Sequence, residues 1–348
     1  MVDKKKVIWL LSAYRSDSHA AWADGLIASF RNFDWFKLEL SGRHFRWRIR
    51  GNPLSWIDKI PAEQPDLILA TSMVDLATLK GLHPQLANTP CLYYFHENQF
   101  AYPISKQQHQ SVDPQMVQLY GALAASKLLF NSAYNRDSFL KGVDQLLKRL
   151  PDEVPGNITS RLSIKTEVLP VAIKRIESQG EKNPQLILWN HRWEYDKAPQ
   201  VFADALVKLK KLNIDFQLAL LGVRAEKKPS YLMQIENEFN DQIIINEKVS
   251  KLNYQKYLQL SSIVVSTAIH EFQGLSMLEA VSAGAIPAVP DDLCYQEQYA
   301  EEFRYKAGDS DALAEKIIHY FNIRPAAPDI SQYYDEALKQ KWNDTLRE

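Results

Sequence analysis

The stretch IHEFQGLSMLEAVSAGAIPAVP, residues 269–290, places two carboxylates, Glu271 and Glu279, eight positions apart around Gly274, with a run of small residues behind them. An apolar run, Ile263–Thr267, comes just before it, and a second, Ala285–Val289, closes it. Between them the spacing predicts a loop over 268–275 and a helix starting near Ser276. Strand, loop, helix and strand make the repeating unit of a parallel sheet, whose ligands sit beyond the carboxyl ends of the strands.

The same alternation runs through the chain. Candidate strands are Val7–Ser12, Asp66–Ala70, Cys91–Phe95, Lys127–Asn131 and Ser163–Leu169. After a polar joint, Ile173–Pro184, come Gln185–Trp189, Phe216–Gly222, Ile243–Asn246, Ile263–Thr267 and Ala285–Val289. Short continuous apolar strands separated by helices predict an α/β protein of two Rossmann-like doubly wound domains. Their expected bounds are 1–172 and 173–330, with 331–348 a C-terminal helix packing back toward the first domain.

The 348 residues are 46% hydrophobic and 24% charged, which suits two soluble globular domains. The start, MVDKKKVIWLLSAYRS, has an apolar run too short for a signal peptide and reads as a lysine-flanked first strand. No apolar run is long enough for a transmembrane helix. Cys91 and Cys294 show no metal-ligand spacing, so a reduced, cytoplasmic chain is expected. The net charge is −1 overall, yet residues 1–172 carry 20 Lys+Arg against 16 Asp+Glu and the remainder 21 against 26. That asymmetry points an anionic macromolecule toward the first half.

The loops after the strands hold the candidate site residues. No GxGxxG follows the first strand, which disfavours a dinucleotide site there. Ser18 and His19 stand in that loop, and Ser18 can be read as a helix cap. His96-Glu97-Asn98-Gln99 follows the fully apolar strand Cys91–Phe95, either as a polar turn or as one wall of a site. Arg192 and Lys197 follow Gln185–Trp189; arginine suits bidentate phosphate contact, and lysine serves as a mobile point charge. Glu279 has two readings. Ser276-Met277-Leu278-Glu279 fits the S-x-x-E capping box. Alternatively, Gly274 and the helix N-terminus cradle a diphosphate while Glu271 and Glu279 accept hydrogen bonds from sugar hydroxyls.

EFQGLSMLE followed by AVSAGAIPAV resembles the E-x7-E motif of the family 4 retaining GT-B glycosyltransferases. YFHENQ (94–99), FNSAYN (130–135), HRWEYDK (191–197) and HEFQGLSMLEAV (270–281) are similar to the motifs of one branch, the tRNA-queuosine mannosyltransferases. Ser18-His19 and the arginine-tryptophan segment at Arg46-Trp47-Arg48 match it too. Ser16-Asp17 stands where the branch has Gly-Gly, and Gln273 where it has Phe.

The resemblance implies a GT-B fold with the two domains facing across a cleft. It implies transfer of mannose from GDP-mannose to the cyclopentenediol of queuosine in a tRNA of the tRNA-Asp type. It further implies that Arg192 and Lys197 bind the diphosphate, together with the backbone N–H groups of Gly274 and Leu275. Glu271 would hold the sugar hydroxyls, Glu279 the ribose, and His96 would sit beside the transferred sugar. No cofactor, metal, membrane or obligate protein partner is expected.

On the acceptor side, residues 43–50 alternate with period two. The alternation predicts a strand with Phe45, Trp47 and Ile49 on one face and His44, Arg46, Arg48 and Arg50 on the other. The basic face is either solvated or a phosphate-contacting edge. With Ser18, His19, Glu97 and Asn98, these arginines are the candidate acceptor residues. Two other functions stay open at this point: a GT-B enzyme acting on a lipid or polysaccharide, and a non-catalytic RNA-binding protein. The helical stretch 138–150 has too few basic and aromatic residues for a membrane-docking helix.

Overall fold

Continuous apolar runs put both faces of a strand in the dry, which requires helices above and below each sheet. The structure, a computed structural model, realises this in the residues it describes: 5–102, 111–149, 153–177, 180–222 and 230–348. Residues 1–4, Leu150, Ser178 and Gln179, which belong to stretches read above, lie outside them. The chain divides into one unit of Met1–Val171 with Lys339–Glu348, and a second of Ala172–Leu338.

In the first unit, β1 (Val7–Arg15), β2 (Asp34–Ser41), β3 (Leu67–Thr71), β4 (Cys91–Phe95), β5 (Lys127–Phe130) and β6 (Thr166–Val168) form a parallel sheet ordered β2-β1-β3-β4-β5-β6. In the second, the strands are β7 (Asn183–Trp189), β8 (Gln217–Leu220), β9 (Ile243–Asn246), β10 (Ser261–Val265), β11 (Ile286–Pro290) and β12 (Arg304–Tyr305). Their order is β12-β11-β10-β7-β8-β9, again parallel. Every residue of β3, β4 and β11 is buried, which is why these strands read as uninterrupted apolar words.

β2 escaped the sequence reading because it is an edge strand. Its residues, DWFKLELS, are half-buried or exposed and alternate with polar groups. The segment after it corrects a second expectation. Residues 43–50 do not form a strand; Phe45–Trp56 is a helix. Its buried residues Ile49, Asn52, Pro53 and Trp56 keep helical spacing, and most of that pattern lies beyond Arg50, where the period-two window stopped. A parallel crossover from β2 to β3 also favours a helix there. Consequently Arg48 donates from Nε to the Ser41 carbonyl at 3.0 Å, and Arg50 pairs with Asp75 at 2.6 Å. Asp75 is buried and caps the helix Leu76–Leu82 by accepting from the Thr78 N–H. These two arginines are engaged by the fold, and Arg46 alone of the three has no protein partner among the described residues.

The last helix, Asp335–Arg347, carries Trp342 into the first unit. Its ring packs 5.5 Å from Tyr94 and 6.0 Å from Trp22, centroid to centroid, and is 3% exposed. Trp342→Ala is therefore expected to destabilise the protein by about 3–5 kcal/mol, read as a lower urea midpoint. An unchanged midpoint would mean that the C-terminal helix is not part of this core.

Candidate functional site

Counted within its own unit, the second sheet has the strand order 3-2-1-4-5-6, whose topological switch point lies between its first and fourth strands, β7 and β10. The loops leaving those two strands, 190–197 and 266–274, carry Arg192, Lys197, Glu271 and Gly274. Topology alone thus brings together residues some seventy positions apart in the chain.

Lys197 is the centre of this arrangement. It is 7% exposed, and its ammonium donates to the His270 carbonyl at 2.8 Å and to Glu271 Oε2 at 3.1 Å, with Asp196 Oδ2 at 3.2 Å. Burial would lower its pKa, but Glu271 and Asp196 outweigh burial and raise it, so the group stays charged. The expectation of a mobile point charge is corrected: the site clamps Lys197. Burial would push the Glu271 carboxyl up, yet Lys197, His191 and the Gly274 N–H pull it down to about 2. Its Oε1 also accepts from the Phe272 N–H at 3.1 Å. Arg192 is the outward cation, its side chain 51% exposed and 3.2 Å from Glu194.

Gly274 occupies the left-handed region at φ 63° and is the N-cap of the helix Leu275–Ser282. A Cβ there would meet the Tyr295 ring at 3.1 Å in a backbone conformation that side chains disfavour. The capping-box reading fails, because Ser276 is the second helical residue and Glu279 the fifth, too far along to reach back to the cap. The N–H groups of Leu275 and Ser276 have no partner within the helix, whereas that of Gly274 points to Glu271. The N–H groups left open at this helix start are thus those of Leu275 and Ser276, not those of Gly274 and Leu275.

Glu279 instead accepts from the Tyr254 hydroxyl at 2.9 Å, and burial raises its pKa. Asn190 Nδ2 donates to the same hydroxyl at 3.2 Å and to the Ser276 carbonyl at 2.8 Å. Tyr254, on the helix Lys251–Leu260, had no signal in the sequence beyond being one of 16 tyrosines. Asp196 was visible inside HRWEYDK but unassigned. Four buried polar atoms here lack partners: Asn190 Oδ1, His191 Nε2, Trp193 Nε1 and Asp196 Oδ1. Buried polar atoms are ordinarily satisfied, so such a cluster fits a site that a polar ligand completes. Burial and Lys197 bring His191 down to about 4, leaving a neutral ring 3.3 Å from the Ser276 hydroxyl. Gly222, just beyond β8, backs this loop; a Cβ there would fall 1.6 Å from the His191 carbonyl oxygen.

In the first unit, the strand order β2-β1-β3-β4 sets the switch point beside β1. His19, on the helix Asp17–Ser29 after β1, stacks on His96, just beyond β4, with centroids 4.2 Å apart. His19 Nδ1 donates to the Tyr14 carbonyl at 2.8 Å, which leaves Nε2 as the acceptor of the neutral ring. Burial lowers the pKa of His19, and burial together with His19 holds His96 well below the ordinary histidine range. Trp22 and Tyr94 enclose His96 at 4.6 and 4.7 Å, and His96 Nε2 is buried without a partner.

Its neighbours in HENQ differ. Asn98 is fully buried. Its amide donates to Asn135 and Ser138, and its oxygen accepts from the Phe100 and Ala101 N–H groups. Its assignment to the acceptor is corrected, since it shapes the loop. Glu97 is half-buried and accepts from Gln99 at 3.2 Å. Ser18 is exposed on the helix itself, 3.3 Å from Ser16; the N-cap is Ser16, so the capping reading of Ser18 is also corrected.

Residues 172–336 match the family of group 1 glycosyl transferases. The sucrose-phosphate synthase of Thermosynechococcus elongatus is similar in structure, with a TM-score of 0.75 at 12% identity over 99% of this chain and 98% of that one. The catalytic domain of starch synthase IV from Arabidopsis thaliana, bound to ADP and acarbose, has a TM-score of 0.67 at 12% identity, again over 99% and 98%. The fold is GT-B, and the protein is a glycosyltransferase. Residues 7–173 match the N-terminal domain of tRNA-queuosine alpha-mannosyltransferase. The Drosophila melanogaster protein of that name is 31% identical over 330 residues, 91% of this chain and 87% of its own. The chain belongs to the tRNA-queuosine alpha-mannosyltransferase family.

The Glu271 carboxyl titrates near 2 in the folded protein against about 4.5 unfolded. Between those values the unfolded chain binds more protons, so stability rises with pH there. The gap corresponds to about 3 kcal/mol, present above pH 4.5 and lost as the pH falls toward 2. Glu271→Gln should flatten the urea-midpoint profile in that window. Lys197→Met, which takes the ammonium from the buried Asp196 and the half-buried Glu271, should cost about 3–5 kcal/mol at neutral pH. A Lys197→Met protein as stable as the wild type would dissolve the clamp.

Proposed function

We propose that the protein moves mannose, with retention of anomeric configuration, from GDP-mannose to the cyclopentenediol of queuosine in the anticodon of a tRNA of the tRNA-Asp type. The observation that carries the donor half is the meeting, at the β7–β10 switch point, of the Lys197–Glu271 pair, the outward Arg192 and the open helix N-terminus. The name of the fly relative supports the acceptor half.

The charges explain the division of labour. Lys197 is already shared between two carboxylates, so its part is to cancel the repulsion between Glu271 and an incoming diphosphate. Arg192 and the N–H groups of Leu275 and Ser276 take the phosphate oxygens, and the helix dipole favours the growing negative charge of the leaving nucleotide. Glu271 accepts from the sugar hydroxyls. Glu279, aimed by Tyr254, accepts from the ribose. His96, neutral and with an unpartnered nitrogen, is the first unit's catalytic group toward the transferred sugar, and His19 stacks on its ring. The transfer proposed is metal-independent, with Arg192, Lys197 and the helix N-terminus answering the charge of the diphosphate. The setting proposed is the cytoplasm, with no membrane and no obligate protein partner; among the described residues no helix is long and apolar enough to cross a bilayer.

Labelled GDP-mannose should mark tRNA carrying queuosine and leave the same tRNA with guanosine unmarked, with the rate unchanged in excess EDTA. Marking of both tRNAs, or of lipid extracts only, would overturn the acceptor; rescue of a chelated enzyme by Mg²⁺ would overturn the metal-free donor site. Arg192→Ala should weaken GDP binding by about 1.5–3 kcal/mol without lowering the melting temperature. Glu279→Ala and Tyr254→Phe should both weaken GDP, and unchanged calorimetric affinity in either variant would remove the ribose assignment.

A further inference from the structure

The helix Phe45–Trp56 turns the tryptophan of the basic segment outward. All eight tryptophans lie in the described residues, and Trp47 is the exposed one, at 49%. The helix supports one side of this indole only. Trp47, Gly51 and Ser55 succeed one another at intervals of four residues, so they line one helical face. Gly51 lies under the ring: a Cβ there would sit 2.5 Å from the indole carbons. Any other residue would lift the ring away. The indole N–H donates to the Ser55 hydroxyl at 3.0 Å, which sets the ring's rotation.

One face of the indole therefore rests on backbone and the other faces solvent. Along its own segment the charge has a single sign. Residues 43–57 contain Arg43, Arg46, Arg48 and Arg50 and no acid. Arg46 is exposed and unpaired among the described residues, and the Arg50 side chain, although bonded to Asp75, is 60% exposed. A flat ring among cations fits a ligand that is flat and anionic at short intervals, which is single-stranded nucleic acid.

We propose that Trp47, seated on Gly51, is a stacking platform for one unpaired base of the acceptor RNA, with Arg46 and Arg50 contacting the phosphates beside it. The proposal rests on the RNA-acceptor reading given above and adds to it a base contact that phosphate-binding arginines alone do not supply. Base stacking tolerates every sequence, so the platform selects unpaired over paired RNA.

Fluorescence anisotropy at several salt concentrations tests it, with an anticodon stem-loop hairpin and a fully paired duplex of equal charge as probes. The wild type should prefer the hairpin. Trp47→Ala should weaken hairpin binding about tenfold and abolish that preference, with the duplex affinity and the salt slope unchanged. Trp47→Phe should keep most of the preference, and Gly51→Ala, which displaces the ring, should lose part of it. Arg46→Ser should instead lower the salt slope by roughly 0.7–0.9 for both probes. GDP binding and the melting temperature report whether each variant is folded, and should an alanine at 47 unfold the protein, Trp47→Phe and Gly51→Ala carry the test. Wild-type hairpin affinity in folded Trp47→Ala overturns the platform and leaves the RNA reading standing. A wild-type protein that binds neither hairpin nor tRNA overturns both. Loss of self-association in Trp47→Ala, with RNA binding intact, would make this face an interface between copies of the chain.

Discussion

The second unit is organised around one buried ammonium. Removing a lysine from water costs several kcal/mol unless its donors and its charge are answered, and Lys197 is answered from both loops of the switch point. Asp196 comes from its own loop, Glu271 and the His270 carbonyl from the other. Backbone bonds run alongside: the Ile269 N–H donates to the Asp196 carbonyl and the Thr267 hydroxyl to the Lys197 carbonyl. The left-handed Ala198, at φ 42°, turns the chain into the helix Pro199–Lys211 directly after the lysine. A non-glycine residue holds that conformation only where its surroundings over-determine it. Once the pair is in place, Glu271 holds the Gly274 turn, and the turn leaves the next two N–H groups open.

The first unit uses the opposite electrostatic solution. His19 and His96 are stacked in an aromatic surround of Trp22 and Tyr94, with no carboxylate partner among the described residues, so burial keeps both rings neutral. The same desolvation that Lys197 overcomes through counter-charges here removes charge altogether. A neutral imidazole can donate and accept at once, whereas a paired carboxylate can only accept. The two units therefore carry different chemistry on similar α/β scaffolds.

The α/β class and most strands could be read from the chain because a doubly covered strand must be apolar throughout, and Cys91–Phe95 or Ile263–Val265 can hardly be read otherwise. β2 could not, since an edge strand half in water looks like a polar linker. Residues 45–50 misled because an arginine at every second place imitates a strand over six residues. The helical spacing shows only with Asn52 and Trp56 included, and the crossover to β3 then decides the matter.

Local motifs singled out Arg192, Lys197, Glu271 and Gly274 in the second unit and His96 in the first, because glycine turns, helix starts and polar loops after strands have short-range causes. Sequence alone also determined that a carboxylate pair flanks the helix start. Which atoms meet was decided by tertiary structure. Tyr254 reaches Glu279, Asp196 turns inward to Lys197, Trp342 closes on Tyr94 and Trp22, and Gly222 makes room for the His191 carbonyl. These pairings join residues distant in the chain through strand order and packing. Side-chain spacing along one segment carries no record of what another segment will bring to it.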